Sequence, residues 1–296
     1  MRGSALPVVL AVLSALSAAV YVVLQRDANR GTPSSVTGWR LVGHLLRHPL
    51  WLLGQAAWLV AFGLQALALH LGRLSVVQPV LVTELVFTLL IRRFVSHWPV
   101  RAAAWGSAVL LCGSLGVFLV AAEPRGGHPY ATASAWVWAL LATGGAAGGA
   151  AVLGLSGTPA RRAACFATSG AVLGALEAAL IKTVTGELSA GGLSAVLTNW
   201  PVYALIASGA ASGVVVQAAL HAGPLTVSQP LLVVLNPMVA TGLSVWLFGE
   251  HFSDDPVTVA LAGIAFAGVA VGVGLLTATG PRSSAVEPEP SEDALP

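Results

Sequence analysis

Nine times along this chain, an apolar run of about twenty residues ends at a short polar or charged break. A helix rises about 1.5 Å per residue, so a run of that length reaches across a hydrocarbon core of about 30 Å. Inside lipid a backbone amide finds no water to bond, which leaves helices and closed barrels as the only spanning structures. The runs are about twice the length that a barrel strand needs. They lie at about 5–24, 50–70, 75–91, 102–122, 133–154, 162–181, 200–221, 225–248 and 256–277. The expected fold class is therefore all-α, a polytopic membrane helix bundle of about nine transmembrane helices.

Composition agrees with that reading. The chain is 56% hydrophobic and 9% charged, against about 25% charged in an ordinary soluble domain. A formal charge of +2 and the lack of a basic run interleaved with aromatics exclude a nucleic-acid partner. Cys112 and Cys165 sit in separate apolar runs without metal-ligand spacing and read as small core hydrophobes. No cofactor motif is present, and the expected partners are the lipid bilayer and a small-molecule or ion substrate. Trp51, Trp98, Trp136, Trp200 and Trp246 stand near the ends of runs, where an amphipathic ring prefers the headgroup level.

If the loops alternate sides, one side holds Arg26, Arg30, Arg40, Arg47, Arg92, Arg93, Arg101, Arg161, Arg162 and Arg282, and the other only Arg2, Arg73, Arg125 and Lys182. The positive-inside bias then puts the N-terminus outside and the C-terminus in the cytoplasm. The excess of Arg over Lys points to a GC-rich bacterial genome, and so to the plasma (inner) membrane. Within residues 25–49, Trp39, Leu41, Val42, Leu45 and Leu46 among arginines and histidines fit a short interfacial helix. Residues 280–296, rich in Pro, Ser and carboxylates, read as a disordered acidic tail.

The most specific signal is an internal repeat. "ALHLGRLSVVQPVLV" at 68–82 returns as "ALHAGPLTVSQPLLV" at 219–233, with ten of fifteen positions identical. His70 matches His221, Gly72 matches Gly223, Gln78 matches Gln229 and Pro79 matches Pro230. Equivalent runs are five apart, and an odd offset inverts topology. The expected organisation is a first four-helix repeat at 1–122, a connecting transmembrane helix at 123–158 and a second four-helix repeat at 159–279, related by a pseudo-two-fold axis in the membrane plane.

"RHPLWLLG" at 47–54, the "LGRLSVVQP" run at 71–79 and "LSVWLFGEHF" at 243–252 resemble the drug/metabolite transporter (EamA-like) superfamily, especially its NIPA-like magnesium transporter branch. The likeness covers everything before the tail. Phe248-Gly249-Glu250 is similar to the family's Gly-Glu element, whereas Ile91, Arg92 and Arg93 stand in its place in the first half. The resemblance implies transport by alternating access around a midplane site, with Mg²⁺ or a small metabolite or drug as substrate.

Candidate transport residues follow from polarity inside the runs. Glu84 stands near the middle of the third run, where a carboxylate costs at least about 2.5 kcal/mol. It reads as a transport or cation ligand or as a protonated acid bonded to a neighbouring helix. Thr88 is one turn on. Gln229 and Asn236 are seven apart, on one helix face beside Pro237, and fit either a cavity lining or interhelical hydrogen bonding. Gln78-Pro79 and Gln229-Pro230 fit bent helix ends on a substrate path or plain helix starts. Glu177 shares a face with Gly170 and Gly174, and it and Lys182 close the sixth run. Glu177 is therefore either an interfacial charge or a further ligand.

His70 and His221, with Gly72 and Gly223, form the repeat signature and fall at helix ends. The clusters Gly144, Gly145, Gly148, Gly149, the pair Gly209 and Gly213 and the pair Gly268 and Gly272 are expected helix-packing surfaces. Gly154-Leu155-Ser156-Gly157 matches a short intramembrane-protease motif, but no catalytic set accompanies it and the repeat already accounts for His221. The expectation is a transporter and not an enzyme. The alternative is a non-transporting membrane scaffold or partner subunit.

Overall fold

The structure, a computed structural model, describes residues 5–30, 49–94, 102–122, 125–128, 130–223, 225–252 and 255–279. Most of the segment expected to hold an interfacial helix, the tail at 280–296 and Trp98 lie outside the described residues. In chain order the elements are α1 (Leu6–Arg30), α2 (Pro49–Leu71), α3 (Leu74–Leu81), α4 (Glu84–Phe94), α5 (Ala102–Ala122), β1 (Arg125–Gly126), α6 (Ala133–Leu153), α7 (Pro159–Thr198), α8 (Pro201–Ala222), α9 (Leu225–Phe248), β2 (Glu250–His251) and α10 (Pro256–Thr279). Among the described residues, nine helices are long and apolar enough to cross a membrane, with α3 and α4 together making one of them.

Local chemistry explains the helix starts. Thr158 accepts a hydrogen bond from Arg161 N at 3.4 Å ahead of Pro159, and Thr132 accepts one from Ala135 N at 3.3 Å at the head of α6. Asp255, ahead of Pro256, accepts one from Thr258 N at 2.9 Å. Each side chain satisfies an amide that the first turn leaves unbonded, and proline one position on loses nothing there.

Two elements depart from the apolar-run reading. The third run is a broken helix. Pro79 lacks the N–H that would bond Ser75, and the chain tightens: Val82 N donates to Pro79 O at 3.2 Å and Thr83 N to Val80 O at 3.0 Å. Thr83 Oγ1 takes the Val80 carbonyl as well, at 2.7 Å, and α4 starts afresh at Glu84. The sixth run does not end at 181. It belongs to the forty-residue α7, which continues past Lys182 to a kink at Gly192, where φ is +67°. Lys182 looked like a span end because a lone ammonium does not stay in lipid, but here it is paired in the interior.

The packing centres on α7, the most buried span, which touches α2, α6, α8 and α9. One apolar cluster joins Leu69, Leu74, Val77, Ala179, Leu180, Leu247 and Phe248 across α2, α3, α7 and α9. A second joins Leu111 and Leu115 of α5 to Val269 and Val273 of α10.

Glycines sort into two kinds. A Cβ on Gly272 would lie 3.0 Å from the Leu111 backbone, so α5 and α10 approach as closely as the small-residue spacing requires. Gly144, Gly145, Gly148, Gly149, Gly209 and Gly213 meet nothing within 4 Å. The expectation that these six are helix-packing surfaces finds no partner among the described residues, since a Cβ at any of them would meet open space. The expectation for Trp136 is corrected. It is a core residue, 4% exposed, with its ring edge-on to Trp200 at 5.3 Å.

Candidate transport site

The interior polar groups lie on α4, α7 and α9. On α7, Gly170 and Gly174 let the neighbours in: a Cβ at Gly170 would meet Val216 of α8 and Leu232 of α9, and one at Gly174 would lie 2.6 Å from Asn236 Nδ2. Glu177 is one turn beyond Gly174 on the same helix. Ser212 of α8 is a polar neighbour of the Glu177 carboxyl. Glu177 Oε1 and Asn236 Oδ1 are nevertheless buried without a hydrogen-bond partner among the described residues, as is Thr241 Oγ1 further along α9. Buried acceptors of this kind are uncommon because each forfeits its bond to water. Each can receive a hydrogen bond from an N–H or O–H group, and the carboxyl a proton or a cation.

Glu84 is on α4. Opening α4 directly after the break, it stands at the positive end of a half-helix and in electrostatic reach of the Tyr21 phenol on α1. Thr88 follows it by one turn, partly buried. Gln78 and Pro79 are buried in α3, whereas Gln229 is exposed and Pro230 partly buried in the first turns of α9. Despite Pro230 and Pro237, α9 stays one helix, so the proline symmetry of the sequence produces a break in one half only. His70 and His221 occupy the last turns of α2 and α8. Ser156 is exposed in the turn between α6 and α7, and among the described residues no hydrogen bond joins it to His221. No group of three or more His, Cys, Asp or Glu side chains is gathered among the described residues, so a divalent cation here would keep most of its water ligands.

Sequence reasoning missed the best-defined polar cluster. At the end of α9, Gly249 takes a left-handed conformation, φ +61°, which a side chain would resist. This turns Glu250 back into the protein, where it is 1% exposed. Its carboxylate accepts hydrogen bonds from the first two amides of α3, Leu74 N at 3.1 Å and Ser75 N at 3.2 Å, and from Ser75 Oγ. Lys182 Nζ of α7 donates to Glu250 Oε1 at 3.0 Å and to the Gly72 carbonyl at 3.1 Å, and it lies 4.8 Å from the centre of the Phe248 ring.

Around this pair β1 and β2 form an antiparallel bridge, Arg125 opposite His251 and Gly126 opposite Glu250. Arg73 donates to Gly126 O at 3.2 Å and His128 N to Phe248 O at 2.8 Å. Burial alone would raise the Glu250 carboxyl, but the Lys182 ammonium and the Ser75 hydrogen bonds outweigh it and hold the group below the ordinary carboxylate range. The sequence signal was there, in a Gly-Glu pair after a helix and a lone lysine at the edge of a run. Only the fold brings residues 68 positions apart together.

No protein-family model and no solved structure matches the chain. An uncharacterized protein of Corynebacterium glutamicum is 30% identical to it over 257 residues, which cover 85% of this chain and 88% of that protein.

Proposed function

We propose that this chain, which belongs to the family of that uncharacterized Corynebacterium glutamicum protein, is an integral membrane transporter moving a small solute or cation by alternating access between two inverted repeats. The supporting observation is that contacts recur in matched pairs. Gly72, at the end of α2, lies against Pro7 at the start of α1, and its twin Gly223, at the end of α8, lies against Pro159 at the start of α7. The α1–α2 packing has its counterpart in α7–α8, and α1–α4 in α7–α9. The pairings that join the halves, α3–α9 and α5–α10, each put a span against its own repeat partner, a pairing compatible with a two-fold axis between the halves.

In this reading Glu177 and Asn236 hold the solute, and Glu84 on its half-helix carries a second charge or the coupling proton. The sparse carboxylates suit Mg²⁺ with retained waters, and the resemblance to the drug/metabolite transporter superfamily and its NIPA-like branch points the same way. Purified protein in proteoliposomes, assayed for uptake of Mg²⁺, amino acids and cationic dyes, should carry one of them saturably, and Glu177→Gln should abolish that uptake. Uptake of none of the three would remove the proposal. A scaffold or partner-subunit role is the second reading, and the open glycine faces of α6 and α8 favour it, since they offer close approach to another helix.

A further inference from the structure

We propose that Lys182, Glu250 and the N-terminus of α3 form a one-sided latch, which holds one face of the bundle closed and must come apart for the interior to open there. Three separate parts of the chain converge on a single carboxylate: the repeat loop at Gly72–Ser75, the centre of α7 and the end of α9. The β1–β2 bridge and the Arg73 bond to Gly126 tie the segment ahead of α6 onto the same point.

The chemistry of the latch is directional. Two free amides at a helix start call for an anion, and the ammonium then neutralises that anion in a buried place. The opposite face cannot copy the device, because no Asp or Glu occurs anywhere in residues 85–122, the stretch of the first repeat that would have to supply the twin of Glu250. A latch on one face only gives the two orientations of a pseudo-symmetric bundle unequal energies, and the intact pair selects one of them.

Opening serves transport only if the alternating-access reading holds, but the latch can be tested without any substrate. In full-length protein carrying Cys112→Ser and Cys165→Ser, Val77→Cys places a thiol one turn below Leu74, at a position that is 0% exposed. Labelling by a membrane-impermeant maleimide in detergent should be slow with the latch intact or with Lys182→Arg. It should be roughly tenfold faster in Glu250→Gln and in Lys182→Met. Ser75→Ala, which removes one hydrogen bond and leaves both charges, should give about a threefold rise and decides the question if loss of a charge prevents folding. Unchanged labelling in folded charge variants, or in Ser75→Ala where those variants do not fold, overturns the latch. Faster labelling in a protein that carries no solute keeps the latch and removes the transport reading.

Discussion

At the residue scale, the decisive group is a carboxylate whose neighbours were chosen by the fold. With Glu250 1% exposed and Lys182 12% exposed, removing one partner strands the other. Lys182→Met should therefore lower stability by about 3 kcal/mol, read as a drop in melting temperature of the detergent-solubilised protein. Because the folded state holds the Glu250 carboxyl below its ordinary range, its stabilising contribution is fully present above the unfolded-state pKa. It is lost as pH falls through the folded value. Melting curves should be insensitive to this group between about pH 8 and 6, values well above the usual carboxylate pKa of about 4.3. Acidification below that range should destabilise the parent more than Glu250→Gln. Equal acid sensitivity of the two proteins would show that another group controls the response.

At the element scale, spans held by backbone contact are less tolerant than spans facing outward. Gly223→Ala would set its new carbon 2.2 Å from the Pro159 carbonyl oxygen, a clash between backbones that no rotamer relieves. A loss of about 1–3 kcal/mol is expected, together with poor membrane expression. Gly148→Ala meets nothing within 4 Å and should be neutral or stabilise α6 by about 0.5–1 kcal/mol through backbone entropy. Thermal melting of the two variants side by side checks the contrast. Reversed ranks would mean that α6 packs on a partner and that the α7–α8 approach is loose. The break between α3 and α4 belongs to this scale as well. One proline and one back-bonding threonine end α3, while two prolines leave α9 intact. The residues just past each proline thus settle whether a helix resumes in line.

At the scale of the whole molecule, the inverted-repeat proposal makes a geometric claim about orientation. Reporter fusions after residues 72 and 223 should fall on opposite sides of the membrane, with the loop before α2 on the arginine-rich, cytoplasmic side. Both fusions on one side would end the inverted-repeat proposal.

Much of this was legible from residues alone. The apolar runs pointed to the nine helices that, among the described residues, are long and apolar enough to cross a membrane, because the bilayer sets both the length and the permitted secondary structure of anything that crosses it. The repeat singled out Gly72 and Gly223 as matched positions, and the tertiary structure showed that both are places of close approach. What only the tertiary structure decided was which polar groups meet. Glu84 stands near Tyr21, Asn236 meets α7 at Gly174, and Lys182 continues its helix instead of ending it and pairs with Glu250 from the far end of the chain. Hydrophobic spacing is a one-dimensional property that a membrane reads directly. The pairing of a charge depends on which helices become neighbours, and that is a property of the three-dimensional packing.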